Sequence, residues 1–235
     1  MNEKKPGRRS AQAAEETKTQ ILSVAGKLFC ELGYERVSLR HISDQAGVSH
    51  SLIRHHFGSK EQIWYAVSDA LHDSIMQYIQ RLALVLPADK PANIQFYQFI
   101  VRLLALLLIE PRPMQFIADT VRQEGKFVDY FLDRHGREEQ LLLALQAKHN
   151  SENPDNLVEI WDMKWQLITS AHAAATLKPL LNIIWKEQAS DPEQSLYNHW
   201  DLFNKQMVAR FNIPQQEVLH PHSLKELLLS YECVI

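Results

Sequence analysis

Between Ser38 and Lys60 the chain reads Ser-Leu-Arg-His-Ile-Ser-Asp-Gln-Ala-Gly-Val-Ser-His-Ser-Leu-Ile-Arg-His-His-Phe-Gly-Ser-Lys. Hydroxyl, imidazole and guanidinium groups crowd its second half, at Ser49, His50, Ser51, Arg54 and His55. No phosphate loop and no nucleophile–base pair accompanies them anywhere in the chain. His55 and His56 have no third ligand at metal spacing, so neither a metal nor another cofactor is expected. The chemistry left is recognition. Ser49 can cap a helix, and the free N–H groups and positive dipole end behind it favour phosphate. His50, Ser51, Arg54 and His55 are outward positions suited to a polar, anionic surface. Lys60 would be the first residue of the following helix, where a cation opposes the dipole; that local cost points to a role for its charge.

These groups need two short helices and a tight turn. Ser38 caps the first, whose inner face is Leu39, Ile42 and Ala46. Gly47 supplies the turn, which needs a residue tolerant of positive φ. Ile53 and Phe57 face inward from the second helix, Gly58 ends it, and Ser59 caps the next. Upstream, Ile21, Leu22, Ala25, Leu28, Phe29 and Leu32 recur at helical spacing until Gly33 stops the run. Downstream, Ile63, Val67, Leu71 and Ile75 follow at steps of four.

Charge is distributed unevenly. Residues 1–60 carry ten Lys or Arg against six acids, a balance of +4, and the net charge of −3 leaves −7 for the other 175 residues. A basic end on an acidic body suits contact with a polyanion through that end; a solvated basic tail is the plainer alternative. Residues 1–14, with Pro6, Gly7, Arg8 and Arg9, are expected to be a flexible basic arm. The apolar run Leu103–Ile109 lies between Arg102 and Glu110, far short of the ~20 residues of a membrane span. The N-terminus has no apolar stretch of signal-peptide type. Cys30 and Cys233 lack metal spacing and are expected to be reduced thiols of a cytoplasmic protein.

Prolines divide the remainder: Pro87 and Pro91 bracket a linker, Pro111 and Pro113 force a break, Pro154 opens a long segment to about Glu187 with Pro179 as kink or break, and Pro192 starts a last long helix to about Phe211. A further helix is expected over Glu138–Lys148, with boundaries near Gly125 and Gly136 left open. All seven glycines precede residue 137 and hairpin signals are absent, so the chain is expected to be all-α.

The wider arrangement carries a resemblance. An amphipathic helix is followed by Gly33-Tyr34, Ser38, Arg40, Ile42, Ala46-Gly47-Val48-Ser49, His55-His56-Phe57 and Ser59-Lys60-Glu61. Over roughly residues 15–75 this is similar to the TetR family of bacterial transcriptional regulators. The resemblance implies an N-terminal three-helix DNA-binding domain (15–75, helix-turn-helix about 38–57), then a larger helical domain (76–235) for ligand binding and dimerisation. It implies a homodimer on a palindromic double-stranded operator, acting as a repressor released by a small ligand, with activator or dual action as the alternative within the family. Carried over by position, Ser49, His50 and Ser51 face the groove, Arg40 and Lys60 meet phosphate, and Lys18 opens the first helix near the backbone. Ser38, Arg54 and His55 complete the expected DNA-binding set. Three positions depart from common family choices: Arg54 for Tyr, Leu52 for a small polar residue, and Val37 for Thr.

The C-terminal 160 residues carry no matching motif. A partly apolar ligand would meet aromatic and sulfur side chains there, with Phe99, Met114, Phe116, Tyr130, Trp161, Trp165 and His172 as candidates. For the dimer surface the small residues Ala171, Ala174 and Ala175 permit close helix approach, and Leu196, Trp200, Phe203 and Met207 form a stripe on the last long helix. A helical enzyme is not expected, since no nucleophile–base pair, phosphate loop or metal-spaced cluster points to one. A non-DNA interaction module that kept the helix-turn-helix as scaffold remains the other reading.

Overall fold

In the computed structural model, residues 6–123, 125–134 and 139–231 are described; every described element is helical, with no strand among them. The chain divides into two compact units, one through Ile75 and one over Met76–Tyr231.

The first unit contains α1 (Pro6–Leu32), α2 (Leu39–Ala46), α3 (His50–Phe57) and the first turns of α4 (Lys60–Leu84). Its core is drawn from the set that helical periodicity picks out: Ile21, Ala25, Phe29, Ile42, Ala46, Ile53, Ile63 and Val67 are buried, whereas Leu32 is exposed and Leu22, Leu39, Phe57 and Ile75 are only partly covered. Trp64 joins them, with its ring edge-on to Tyr65 at 5.5 Å. Residues 6–14, expected to belong to a flexible arm, continue α1 back to Pro6; Ala11, Gln12, Ala13 and Ala14, followed by Glu15 and Glu16, favour helix. The side chains of Arg8 and Arg9, residues 1–5, Gly136 and Cys233 lie outside the described set. Cys30 is buried.

The second unit is built around α5 (Ala92–Ile109), buried along most of its length. α5 is long and apolar enough to cross a membrane by composition, with mean hydropathy 1.6, yet 78% of it is buried inside the protein. It packs against α8 (Glu139–Glu152), α9 (Ile160–Thr176) and α11 (Pro192–Arg210), as expected of a core helix. α6 (Arg112–Thr120) lies on α9 and touches α7 (Lys126–Arg134). The prolines act as terminators and starters. Pro113 and Pro192 sit in the first turns of α6 and α11, where a missing N–H costs nothing. Pro179 does the same for α10 (Lys178–Ile184), so the long segment expected to run to Glu187 is two helices. Its start is also later than expected: 153–159 is a loop whose backbone is paired by side chains. Asn150 brackets Val158, Nδ2 donating to its carbonyl and Oδ1 accepting its N–H, and Arg210 donates to Leu157 O and Asn156 Oδ1.

His149 is fully buried in this joint. Its Nε2 lies 2.9 Å from the carbonyl of Asn156, which fixes that nitrogen as the donor, and its ring meets Phe96 and Phe211 edge-on at 6.2 and 5.3 Å. Among the described residues after α11 the regular structure is two short 3₁₀ turns, Gln215–Glu217 and Leu224–Leu227, yet Pro221, Leu224 and Leu227 are buried.

Candidate nucleic-acid interface

The geometry of residues 38–60 follows from local chemistry. Ser38 is extended (φ −108°, ψ 159°) and its hydroxyl accepts the His41 N–H at 3.0 Å, starting α2. Ile42, Ser43 and Ala46 turn inward, and Ser43 returns its hydroxyl proton to Arg40 O at 2.8 Å. Gly47 ends the helix in the left-handed region (φ 64°, ψ 28°). The N–H groups of Gly47 and Val48 both reach Ser43 O, which closes the turn. No atom lies within 4 Å of where a Cβ on Gly47 would sit, so backbone conformation rather than space demands glycine there. Gln20 of α1 donates to Ala46 O at 2.8 Å and holds the turn against the first helix.

Ser49 then starts α3: its hydroxyl accepts the Leu52 N–H at 3.2 Å and lies 2.9 Å from the Ser51 hydroxyl. Ile53 is the only fully buried residue of this helix; Leu52, His56 and Phe57 are partly covered. His50, Ser51, Arg54 and His55 are exposed. Their spacing, i, i+1, i+4 and i+5, puts them on one side of the cylinder, opposite Ile53. The result is a short helix that buries one apolar contact and offers solvent two imidazoles, a hydroxyl pair and a guanidinium. Donors and cations at a capped N-terminus are suited to phosphate and to the acceptor-rich edges of bases.

The remaining candidates fall around this face in different ways. Arg40 on α2 is 89% exposed and only loosely paired with Asp44, at 3.9 Å. Lys18 is exposed on α1. Lys60 is held inward: its ammonium donates to Tyr34 O at 3.0 Å and sits 3.9 Å from the Tyr34 ring centroid. It thereby ties the α1–α2 link to the start of α4, which accounts for a cation at an unfavourable helix position, and two of its three N–H groups remain for another acceptor. The Lys60–Tyr34 staple was not foreseen from sequence; a Tyr directly after the glycine stop was the available signal.

The structure separates the candidates in the second unit. Phe99, Met114 and Phe116 are buried in α5 and α6, and Tyr130 is half-buried on α7. Trp161 and Trp165, expected to line an interior pocket, are 58% and 69% exposed instead. Both lie on the outer side of α9, because Met163, Leu167, Ala171 and Ala174 hold its inner side against α5 and α6. His172 continues the outer side and pairs with Thr176 at 3.1 Å, not with a cavity.

The expected dimer surface is corrected in the same way. Ala171 and Ala174 are buried within their own unit, where small side chains let α6 and α5 approach. Trp200 is 0% exposed and donates from Nε1 to Val101 O at 2.8 Å; Phe203 and Met207 are buried beside it. These five belong to the core. Ala175 and Leu196 are half-exposed. Of the fourteen large apolar side chains exposed among the described residues, eight fall between Trp161 and Leu202: Trp161, Trp165, Ile168, Leu177, Leu180, Ile183, Ile184 and Leu202. They lie on α9, α11, and α10 with the residue before it; the three helices pack on one another, with His199 bound to Ser170 O at 2.9 Å.

Comparison with known proteins agrees with the first unit's geometry. Residues 21–67 match the model of the family "Bacterial regulatory proteins, tetR family". The HTH-type transcriptional regulator TtgR of Pseudomonas putida is 36% identical over 67 residues, 28% of this chain and 32% of that protein. The HTH-type transcriptional repressor Rv3405c of Mycobacterium tuberculosis is 35% identical over 82 residues, 35% and 42% of the two chains. The alignments thus span between about a third and two fifths of these relatives' lengths. Among solved structures, the transcriptional regulator FadR from Bacillus subtilis, in complex with stearoyl-CoA, superposes with a TM-score of 0.54 at 15% identity, over 78% of this chain and 95% of that one. A TetR/AcrR-family regulator from Thermobifida fusca gives 0.53 at 18% identity, over 80% and 96%. At such identity these two speak for the all-helical fold alone. Taken with the capped, glycine-turned pair of helices at 38–57, the match shows that residues 21–67 carry a domain of the kind described as bacterial regulatory proteins, tetR family.

Proposed function

We propose that this protein is a sequence-specific, double-stranded-DNA-binding transcriptional regulator, most simply a repressor, that acts as a homodimer in the cytoplasm and answers to a small ligand. The observation that carries this is the exposed face of α3, with His50, Ser51, Arg54 and His55 opposite a single buried Ile53 and behind the Ser49 cap. Ser49 and Ser51 are assigned to the groove and Arg40, Arg54 and Lys18 to phosphates, with Ser38 and Lys60 holding the frame. The basic first 60 residues give the steering field, and the −7 of the remainder keeps DNA away from the body.

The dimer is assigned to the outer face of α9, α10 and α11 rather than to the stripe first expected. That face holds eight of the fourteen large apolar side chains exposed among the described residues. Such a patch is more than a monomer leaves bare without a purpose. The ligand compartment is assigned to the apolar interior around Phe99, Met114 and Phe116. The Bacillus subtilis neighbour holds an acyl-CoA, which makes a long apolar ligand the first class to try here. Ligand binding would shift α4, the helix whose two ends belong to the two units, and alter the spacing of the two α3 helices on a palindrome. No enzymatic step is assigned to any of these residues.

The test is fluorescence anisotropy of the purified chain with DNA from upstream of its own gene. Salt-sensitive binding that survives excess unrelated DNA is expected; binding equal to that of unrelated DNA would refute the reading.

A further inference from the structure

The segment after α11 has almost no regular structure, yet side chains of α4, α5 and α11 bond its backbone at Leu219, Leu227 and Leu229. Lys90 pairs with Glu217 near its start. Leu219 is bracketed: its N–H donates to Tyr97 Oη at 2.9 Å, and Asn204 Nδ2 donates to its carbonyl at 3.2 Å. Tyr97 in turn donates to Asn204 Oδ1 at 2.7 Å, so one buried tyrosine–asparagine pair serves both polar groups of one strap residue. Pro221, Leu224 and Leu227 are buried, and Arg102 of α5 donates to Leu227 O at 3.1 Å. Lys225 reaches Glu193 at the start of α11 at 3.4 Å. The segment ends on α4. The Leu229 N–H points to Tyr78 Oη at 3.4 Å, Arg81 reaches the Ser230 hydroxyl at 3.4 Å, and the Tyr231 ring stands edge-on to Tyr78 at 5.8 Å.

Where the strap ends gives it consequence. α4 is one helix from Lys60 to Leu84, and the boundary between the two compact units falls inside it, after Ile75. Tyr78, Ile79 and Leu82 are the buried residues of its last turns. The strap adds polar contacts to just those turns, through Tyr78 and Arg81.

We propose that residues 217–231 are an intramolecular strap that positions α4, with Tyr78 and Arg81 as the positioning residues, and so sets the affinity of the reading unit for DNA. This rests on the DNA-binding reading above. A helix held at its far end has fewer settings. Released, α4 samples more of them, and apparent affinity falls by the fraction that no longer suits DNA. The strap makes no contact with DNA in this scheme, so the number of phosphates engaged stays the same.

The test uses the full chain with Tyr78→Phe and Arg81→Met combined, and Lys225→Met as a control that removes a strap contact remote from α4. Dissociation constants for a selected DNA site are measured across a salt series, and amide exchange at Leu229 is followed in parallel. The double variant is expected to bind about three- to tenfold more weakly with an unchanged salt slope, and its Leu229 amide to exchange faster. The control is expected to bind as wild type. Unchanged affinity with a released amide overturns the proposal, as does an altered salt slope, or an amide that stays protected. If the double variant does not fold, Tyr78→Phe alone, one hydroxyl removed, carries the same test. Wild-type protein that fails to bind any DNA would refute the function itself, an outcome distinct from a strap that does not matter.

Discussion

Replacing Trp165 by Ala should convert the protein from dimer to monomer at micromolar concentration. The side chain is 69% exposed in the single chain, and its neighbour one turn earlier, Trp161, is 58% exposed. An indole side chain can bury up to about 250 Å², so roughly 170 Å² of Trp165 remains for a partner to cover. At about 25 cal/mol/Å² the transfer term is on the order of 4 kcal/mol for each copy, and a two-fold interface loses it twice. Ordering and imperfect fit reduce this, and buried interface tryptophans commonly cost about 2–4 kcal/mol on truncation. Two copies at the low end, about 4 kcal/mol, still raise the dimer dissociation constant by about a thousandfold. Sedimentation equilibrium from nanomolar to micromolar concentration reads this directly. Trp200→Phe is the counterpart: it removes a buried N–H from Val101 O and should lower the melting temperature while leaving the dimer constant alone. A Trp165→Ala protein that dimerises as tightly as wild type would refute the assignment of this face.

Three further outcomes follow from single groups. Gly47→Ala should cost about 1–2 kcal/mol in urea unfolding, because its φ of 64° is strained for any L side chain although no neighbour obstructs the methyl group. Arg54→Ala should reduce the slope of log affinity against log salt by about 0.9, the signature of one lost phosphate contact, whereas Ser51→Ala should change sequence preference with the slope intact. Burial raises the phenol pKa of Tyr78 and Tyr97 above 10.0, so unfolded tyrosines release protons first as pH climbs. The stability they contribute is complete below about pH 10 and is lost as pH rises through the folded values. Urea midpoints between pH 8 and 11 should therefore fall. Tyr97→Phe should start lower, having stripped Leu219 and Asn204 of a partner, and fall less steeply.

The reading helix was legible because what shapes it is local. A serine at each start, a glycine at each stop and one inward isoleucine define α2 and α3 within twenty residues, and the outward residues follow by elimination. α9 was not legible in the same way, because it is apolar on two sides. Trp161, Trp165 and Ile168 repeat as regularly as Met163, Leu167, Ala171 and Ala174, and periodicity does not say which stripe meets the core. The small residues decided it: they fit under α5 and α6, which leaves the tryptophans outside. α11 reversed for a related reason, since Trp200 reaches a backbone carbonyl of α5, a hundred residues away, that no sequence pattern marks. The strap has no sequence pattern because its order comes from side chains of Tyr78, Tyr97 and Arg102 rather than from its own backbone ladder. α1 extends into the expected arm because Pro6 stands at the helix start, where proline is tolerated.

The proposed function requires the exposed side of α3 to read DNA as a symmetric pair. Its most direct measurement is selection from a random double-stranded pool by the purified full-length chain, followed by affinities for the recovered site over a salt series. A palindromic site with half-sites about one helical turn apart, and binding that weakens steeply with salt, is the expected result. Recovered sequences without symmetry or preference, or a site bound equally well by a chain carrying Arg40→Ala, Ser51→Ala and Arg54→Ala together, would contradict it.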